Sequence, residues 1–152
     1  MITKSCEGID LTETLVCDLI FETQLDESVW DRSIITNVDF YSSFFWHSSF
    51  FEADLKSVLF YDTDSTDNIF DKVKFNDVTF RGGSLDGSVF RESKLSNVHF
   101  GKNNLGGEVS LRNVDFTDAT FENVSFRGAL YDRSTKFPHS FRPESSSELI
   151  LD

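Results

Sequence analysis

The amino-acid sequence predicts an all-β fold, a solenoid with four faces per coil and about six coils, and three observations carry that prediction. A large apolar residue occupies every fifth position: Leu15, Ile20, Leu25, Trp30, Ile35, Phe40, Phe45, Phe50, Leu55 and Phe60. After a gap at Ser65 the series runs from Phe70 to Leu105, slips by one residue, and resumes at Leu111, Phe116, Phe121, Phe126 and Tyr131. Twelve of the 17 Phe fall on these centres, where chance placement in one slot of five would give about three. Two residues before each centre stands a small or β-branched side chain, as in Ser33, Val38, Ser43, Ser48, Ala53 and Val58. Finally, like recurs with like every twenty residues: Phe40, Phe60, Phe80 and Phe100 are each preceded by Val, at 38, 58, 78 and 98.

A period of five fits neither the 3.6 of a helix nor the 2 of a plain strand. Residues two apart in extended backbone point the same way, so each pentad reads as a short face with a large and a small side chain inward, followed by a bend. Four distinguishable columns of centres then mean four faces per coil, with identical side chains stacked in register.

In chain order, residues 1–14 read as an N-terminal cap or irregular first coil. Glu13 and Asp18 are unsuited to the small inward slot, and Ile9 and Leu11 fit a phase shifted by one. Residues 15–131 form the repeat domain. Within it, Asp62 to Asn68 interrupts the pattern and reads as an acidic loop or a distorted face with Ser65 partly turned in. Gly101, Gly106 and Gly107 surround the one-residue slip, which predicts a local bulge. Residues 132–152 are the C-terminal capping segment and tail. Pro138 and Pro143 cannot extend a ladder, so Phe137 and Phe141 are expected to plug the last coil, with Ser145 to Asp152 mobile.

The stretches Asn37-Val38-Asp39-Phe40, Asp77-Val78-Thr79-Phe80, Asn97-Val98-His99-Phe100, Asn113-Val114-Asp115-Phe116 and Asn123-Val124-Ser125-Phe126 resemble the pentapeptide-repeat proteins. That family's fold is a right-handed quadrilateral β-helix, and the resemblance implies the same here over residues 15–131. The segment from Tyr131 to Pro138 looks like the one closing many bacterial, often cyanobacterial, members.

The residues that chemistry would need are not gathered by the pattern. His47, His99 and His139 have no metal-ligand spacing among themselves or with the cysteines, so no metal and no cofactor is expected. No serine lies in a nucleophile-elbow context, and a convex rod offers no pocket for tuning carboxylates, so the chain reads as a non-enzyme. Asp62 to Asn68 lacks the glycine and glutamate of a calcium loop. Gly82-Gly83 precedes no helix and reads as structural rather than as a phosphate cradle. Cys6 and Cys17 are expected to be free thiols. No apolar run is long enough to span a bilayer and no signal core opens the sequence, which points to a cytoplasmic protein.

Charge and exposed aromatics are the informative features. Residues 1–70 hold 14 Asp and Glu against 3 Lys and Arg, net −11, whereas residues 71–152 hold 12 against 11, net −1. Phe21, Tyr41 and Tyr61 are expected to stack outward after the centre on one face, with Phe44, Trp46 and Phe51 outward nearby. The candidate partner surface is therefore Tyr41, Phe44, Trp46, Phe51 and Tyr61. The sequence reads as an interaction scaffold for a protein partner or for self-association, without direct nucleic-acid binding, membrane or small-molecule substrate. The family resemblance implies an alternative, a DNA mimic that binds or protects a type II topoisomerase such as DNA gyrase. Against it stand the near-neutral second half and the lack of an evident C-terminal dimerisation helix.

Overall fold

In a computed structural model, which describes residues 1–143 and 149–152, the chain is a four-sided parallel β-solenoid with no α-helix among those residues. Six strands, β1 (Leu15–Phe21), β2 (Ile34–Tyr41), β3 (Asp54–Tyr61), β4 (Lys74–Arg81), β5 (Lys94–Gly101) and β6 (Thr120–Ser125), stack in that order in one sheet. Bridges between isolated residues complete the other sides. One such ladder, Asp10, Val29, Ser49, Ile69, Val89, Asp115 and Lys136, climbs the whole rod and counts about seven turns. We number the faces by their centres in the second full coil: first Ile35, second Phe40, third Phe45, fourth Phe50.

The interior is built from stacked rings. Phe40, Phe60, Phe80 and Phe100 follow one another at centroid spacings of 5.0, 4.6 and 5.1 Å with nearly parallel planes, close to the strand spacing of about 4.8 Å. On the fourth face Phe50, Phe70 and Phe90 stack at 4.9 and 4.7 Å. At the C-terminal end Phe137 stacks on Phe116 at 5.8 Å and Phe141 lies 5.3 Å from Phe126, so both columns are covered.

Corners and small positions follow from where backbone hydrogen bonds go. The residue two after a centre turns the corner with positive φ, as at Asn37, Ser57, Asp77 and Asn97. Asn and Asp tolerate this left-handed conformation better than other non-glycine residues, which accounts for their recurrence there. On the second face the small residue lies within the ladder (Val38 pairs Val58, Val58 pairs Val78), so an apolar side chain serves. On the fourth face it lies outside the named strands, and hydroxyls supply the bonds. Ser48 Oγ accepts from Ser28 N (3.1 Å) and donates to Leu25 O (2.9 Å), pinning the corner of the coil beneath.

Several expectations need correction. Leu15 and Ile20 are exposed, whereas Val16 and Phe21 are buried, because the first register step is 19 residues (Leu15 pairs Ile34) rather than 20. Phe21 is thus a core centre stacked on Phe40 at 5.2 Å, not an outward aromatic in line with Tyr41 and Tyr61. Residues 1–14, read as a cap or an irregular first coil, stack on the next coil, with Ile2, Cys6, Gly8 and Leu11 donating to its carbonyls, and this reading needs no change. Asp62 to Asn68 follows the coil without looping out, with Ser65 fully buried. The glycine-rich slip is no one-residue bulge. Lys94 pairs Thr120, a step of 26, so six extra residues leave the coil; Leu111 takes the inward place after Leu85, and Leu105 is 92% exposed. Of the expected mobile tail, residues 145–148 lie outside the described residues. Leu149 to Asp152 is held, because the last coil would otherwise leave an open edge: β8 (Ile150–Leu151) pairs with β7 (Leu130–Tyr131), and Asp152 pairs with Arg112.

Candidate interaction surface

A five-residue period sends each successive outward side chain to the next face, so the predicted aromatics wrap around the rod. Tyr41 and Tyr61 are half-buried neighbours on the second face, with ring centroids 5.6 Å apart. Phe44 (47% exposed) and Trp46 (53%) lie on the third face, with His47 beside the indole. Phe51, on the fourth face, is half-buried and carries the Lys72 ammonium 5.6 Å from its ring. Only Phe44 and Trp46 share a face and are strongly exposed.

The carboxylates divide into two kinds. Asp26 and Asp31 sit just after a centre, and each accepts the amide of the equivalent residue one coil up, Trp46 (2.8 Å) and Phe51 (3.0 Å). Asp71 does the same for Arg91 and Asp86 for Arg112. These are structural groups that close the coil-to-coil hydrogen bonding. Glu22, Glu27 and Glu52 are exposed at corners or beside them and have no ion pair among the described residues. Ion pairing also differs along the rod. In the later coils Asp71 with Arg91, Glu108 with Lys102, Asp115 with Lys136, and Asp86 and Asp152 with Arg112 are paired, whereas the early coils show Glu13 with Arg32 alone among the described residues. The Lys102 ammonium holds the Glu108 carboxyl below its ordinary range, and Asp71 raises the Arg91 guanidinium further above its own. The unneutralised field therefore belongs to the coils that carry Phe44 and Trp46.

Among the described residues no group of three His, Cys, Asp or Glu is arranged to hold a metal ion. Cys6 and Cys17 are free thiols.

One feature escaped the sequence reading. The six-residue excursion folds back towards the N-terminal coils: Asn103 Nδ2 donates to Asp62 Oδ1 (2.7 Å), and Asn104 N donates to the Tyr61 hydroxyl (3.2 Å). Gly82, with φ +63°, leaves the notch for this crossing; a Cβ there would lie 2.2 Å from Asp62 Oδ1. The loop walls a groove of about 680 Å³ on the second face, which also includes Asp39, Tyr41, Leu59 and Arg81. The signal was present in the valine column. Val98 is followed by Val124 with the same Asn before it, a spacing of 26.

Residues 107–130 match the family model described as pentapeptide repeats (8 copies). Several solved structures are similar, three of which follow. The first is HetL, a pentapeptide repeat protein involved in heterocyst differentiation regulation from the cyanobacterium Nostoc (17% identity, 95% of this chain and 70% of that chain, TM-score 0.49). QnrB1, a plasmid-mediated fluoroquinolone resistance protein, follows with 11% identity, 98% and 88% coverage and a TM-score of 0.48. Rfr23 from the cyanobacterium Cyanothece is 14% identical, with 88% and 90% coverage and a TM-score of 0.39. At such identities and TM-scores these likenesses carry no functional information. No curated protein matches the chain.

Proposed function

We infer that this chain, a pentapeptide-repeat protein, is a non-enzymatic scaffold whose early coils present an acidic, partly aromatic surface to a protein partner. The observation that supports this reading is the exposure of Phe44 and Trp46 together on one face, in the early coils, where among the described residues Glu13 alone of the carboxylates holds a cationic partner. Exposed aromatics give an interface desolvated anchors, and surrounding free charge sets encounter rate and orientation. The proposed location is the cytoplasm.

The test is capture of partner from a host extract by wild type and by Trp46→Glu, with circular dichroism to show that the rod remains folded. Loss of capture by a folded variant supports the surface; undiminished capture overturns it. Replacing Glu22, Glu27 and Glu52 by Gln removes free charge without touching Asp26 or Asp31, and should slow association and weaken its salt dependence. The topoisomerase-mimic reading makes the opposite ranking, with charge removal dominant and Trp46 of little consequence. A gyrase supercoiling assay separates the two.

A further inference from the structure

We propose that the groove on the second face binds an extended peptide segment of a partner protein, carrying a basic residue, an apolar residue, and an acidic residue about three positions from the first. This site is distinct from the Trp46 surface, which occupies the third face.

The groove is made by two registered columns and a loop. Asp39, Leu59 and Thr79 are aligned across β2, β3 and β4 and form the floor, and Tyr41, Tyr61 and Arg81 are aligned beside them as one wall. Asn104 bonds the Tyr61 hydroxyl and fixes that ring in place, so the wall is set before anything binds.

Its chemistry is graded along the rod axis. At the lower end the Asp39 carboxylate has no hydrogen bond or ion pair among the described residues and stands beside the Tyr41 ring, a pairing that accepts a Lys or Arg head by charge and by the ring face. In the middle Leu59 and Tyr61 offer apolar contact. At the upper end is the Arg81 guanidinium. Arg32, Arg91 and Arg112 each hold a carboxylate, whereas Arg81 has none within ion-pair distance among the described residues. A free guanidinium in a net-acidic protein, at the end of a groove, suits a carboxylate through two parallel hydrogen bonds.

Spacing and field agree with such an occupant. Asp39 and Arg81 lie two coils apart along the axis and two residues apart along the strands, about 12 Å at ~4.8 Å per coil and ~3.3 Å per residue, which three to four residues of extended chain span. The rod is net −11 over residues 1–70 and −1 over residues 71–152. A segment with its cation towards the early coils and its carboxylate at Arg81 lies along that gradient. Leu105, which follows Asn104 in the chain, is 92% exposed, a large apolar side chain with nothing covering it among the described residues.

A random linear heptapeptide library selected on immobilised wild-type protein, with Arg81→Glu as counter-target, tests the proposal. Enriched sequences should hold Lys or Arg and Asp or Glu three positions apart, with an apolar residue between them. Titration of the best peptide should show at least tenfold weaker binding to Arg81→Glu and to Asp39→Asn, severalfold weaker binding to Leu105→Ser, and no change with Trp46→Glu. Among the described residues the Arg81 and Asp39 side chains make no hydrogen bond or ion pair, their structural contacts being those of the backbone ladder, and circular dichroism of each variant confirms the fold. No enrichment, a consensus without the basic residue, or equal binding to Arg81→Glu overturns the assignment. So does a wild-type dimer that Arg81→Glu dissolves, because the occupant is then a second copy. Loss of partner capture by Trp46→Glu with intact peptide binding separates this site from the third-face surface.

Discussion

Replacing Ser65 by Leu together with Asn68 by Ser should stabilise the rod by about 2–4 kcal/mol, while either change alone should have little net benefit. Ser65 occupies a third-face centre where Leu25, Phe45, Leu85 and Leu111 are buried, and it is itself fully buried. Asn68 occupies the fourth-face small position held by Ser28, Ser48 and Ser88 in the other coils. The two share a corner, since Ser88 Oγ donates to Ser65 O (2.7 Å) and accepts from Asn68 N (3.0 Å). Asn68 Oδ1 accepts from Ser48 N, but its Nδ2 is buried without a partner. The coil has therefore exchanged a large and a small side chain, leaving one orphan donor. Burying a leucine contributes about 1.5–3 kcal/mol, and removing an unsatisfied buried amide recovers about 1–3 kcal/mol. Leucine alone must crowd against the longer Asn68, at a cost of about 1–3 kcal/mol, and serine alone widens the space beside Ser65. Urea unfolding of all four combinations, with m-values checked for a common transition, measures the coupling. Additive effects, or Ser65→Leu matching the double variant, would refute the exchange.

Phe80→Ala, in the middle of the stacked column, should cost about 3–5 kcal/mol through lost burial and an unfilled cavity, whereas Arg81→Ala should change stability by less than about 0.5 kcal/mol; equal midpoints in urea would contradict the inward and outward assignment. Gly82→Ala should detach the Asn103 crossing and destabilise by at least about 1 kcal/mol, seen as faster hydrogen exchange at Asn104. Gly8→Ala has a similar φ but open space, and should show the backbone contribution alone. The Asp132 carboxyl is held below its ordinary value by the Asn113 amide, against burial, and then by Thr135 and the Ser134 and Thr135 amides. A depressed carboxyl contributes stability above its unfolded value, near 3.8, and loses it as pH falls through the folded value. Exchange at Asn113 and Thr135 should accelerate in acid below that point in wild type, and an Asp132→Asn variant should not show the acid step.

The columns were legible because two coupled positions repeat far beyond chance. What failed was registration, for an arithmetic reason. At period five, an insertion of six residues leaves the same phase as an insertion of one. Leu105 therefore looked like a centre although it sits at a loop tip, and the bulge reading hid the loop that walls the groove. At the other end a 19-residue coil moved Phe21 inward and left Ile20 outside, a shift that Leu11, Val16 and Phe21 share but that Leu15 and Ile20 mask. Trp46 and Phe44 were legible as outward because they flank the centre Phe45. That Asp26 and Asp31 serve the backbone was not, because the acceptor role depends on a residue twenty positions later.

Charge density favours the scaffold over the mimic. Duplex DNA carries one charge per about 1.7 Å of axis, so a rod with coils about 4.8 Å apart needs roughly three uncompensated carboxylates per coil to resemble it. Residues 1–70 carry net −11 over about three and a half coils of twenty residues, which reaches that density. Residues 71–152 carry net −1 and fall far short. The matching stretch is only about 17 Å long, some five base pairs of duplex at about 3.4 Å each. A partner reading phosphate-like charge along the rod would meet it over one half and lose it over the other. A partner anchored on Trp46 and steered by the same gradient needs no more length than that half supplies.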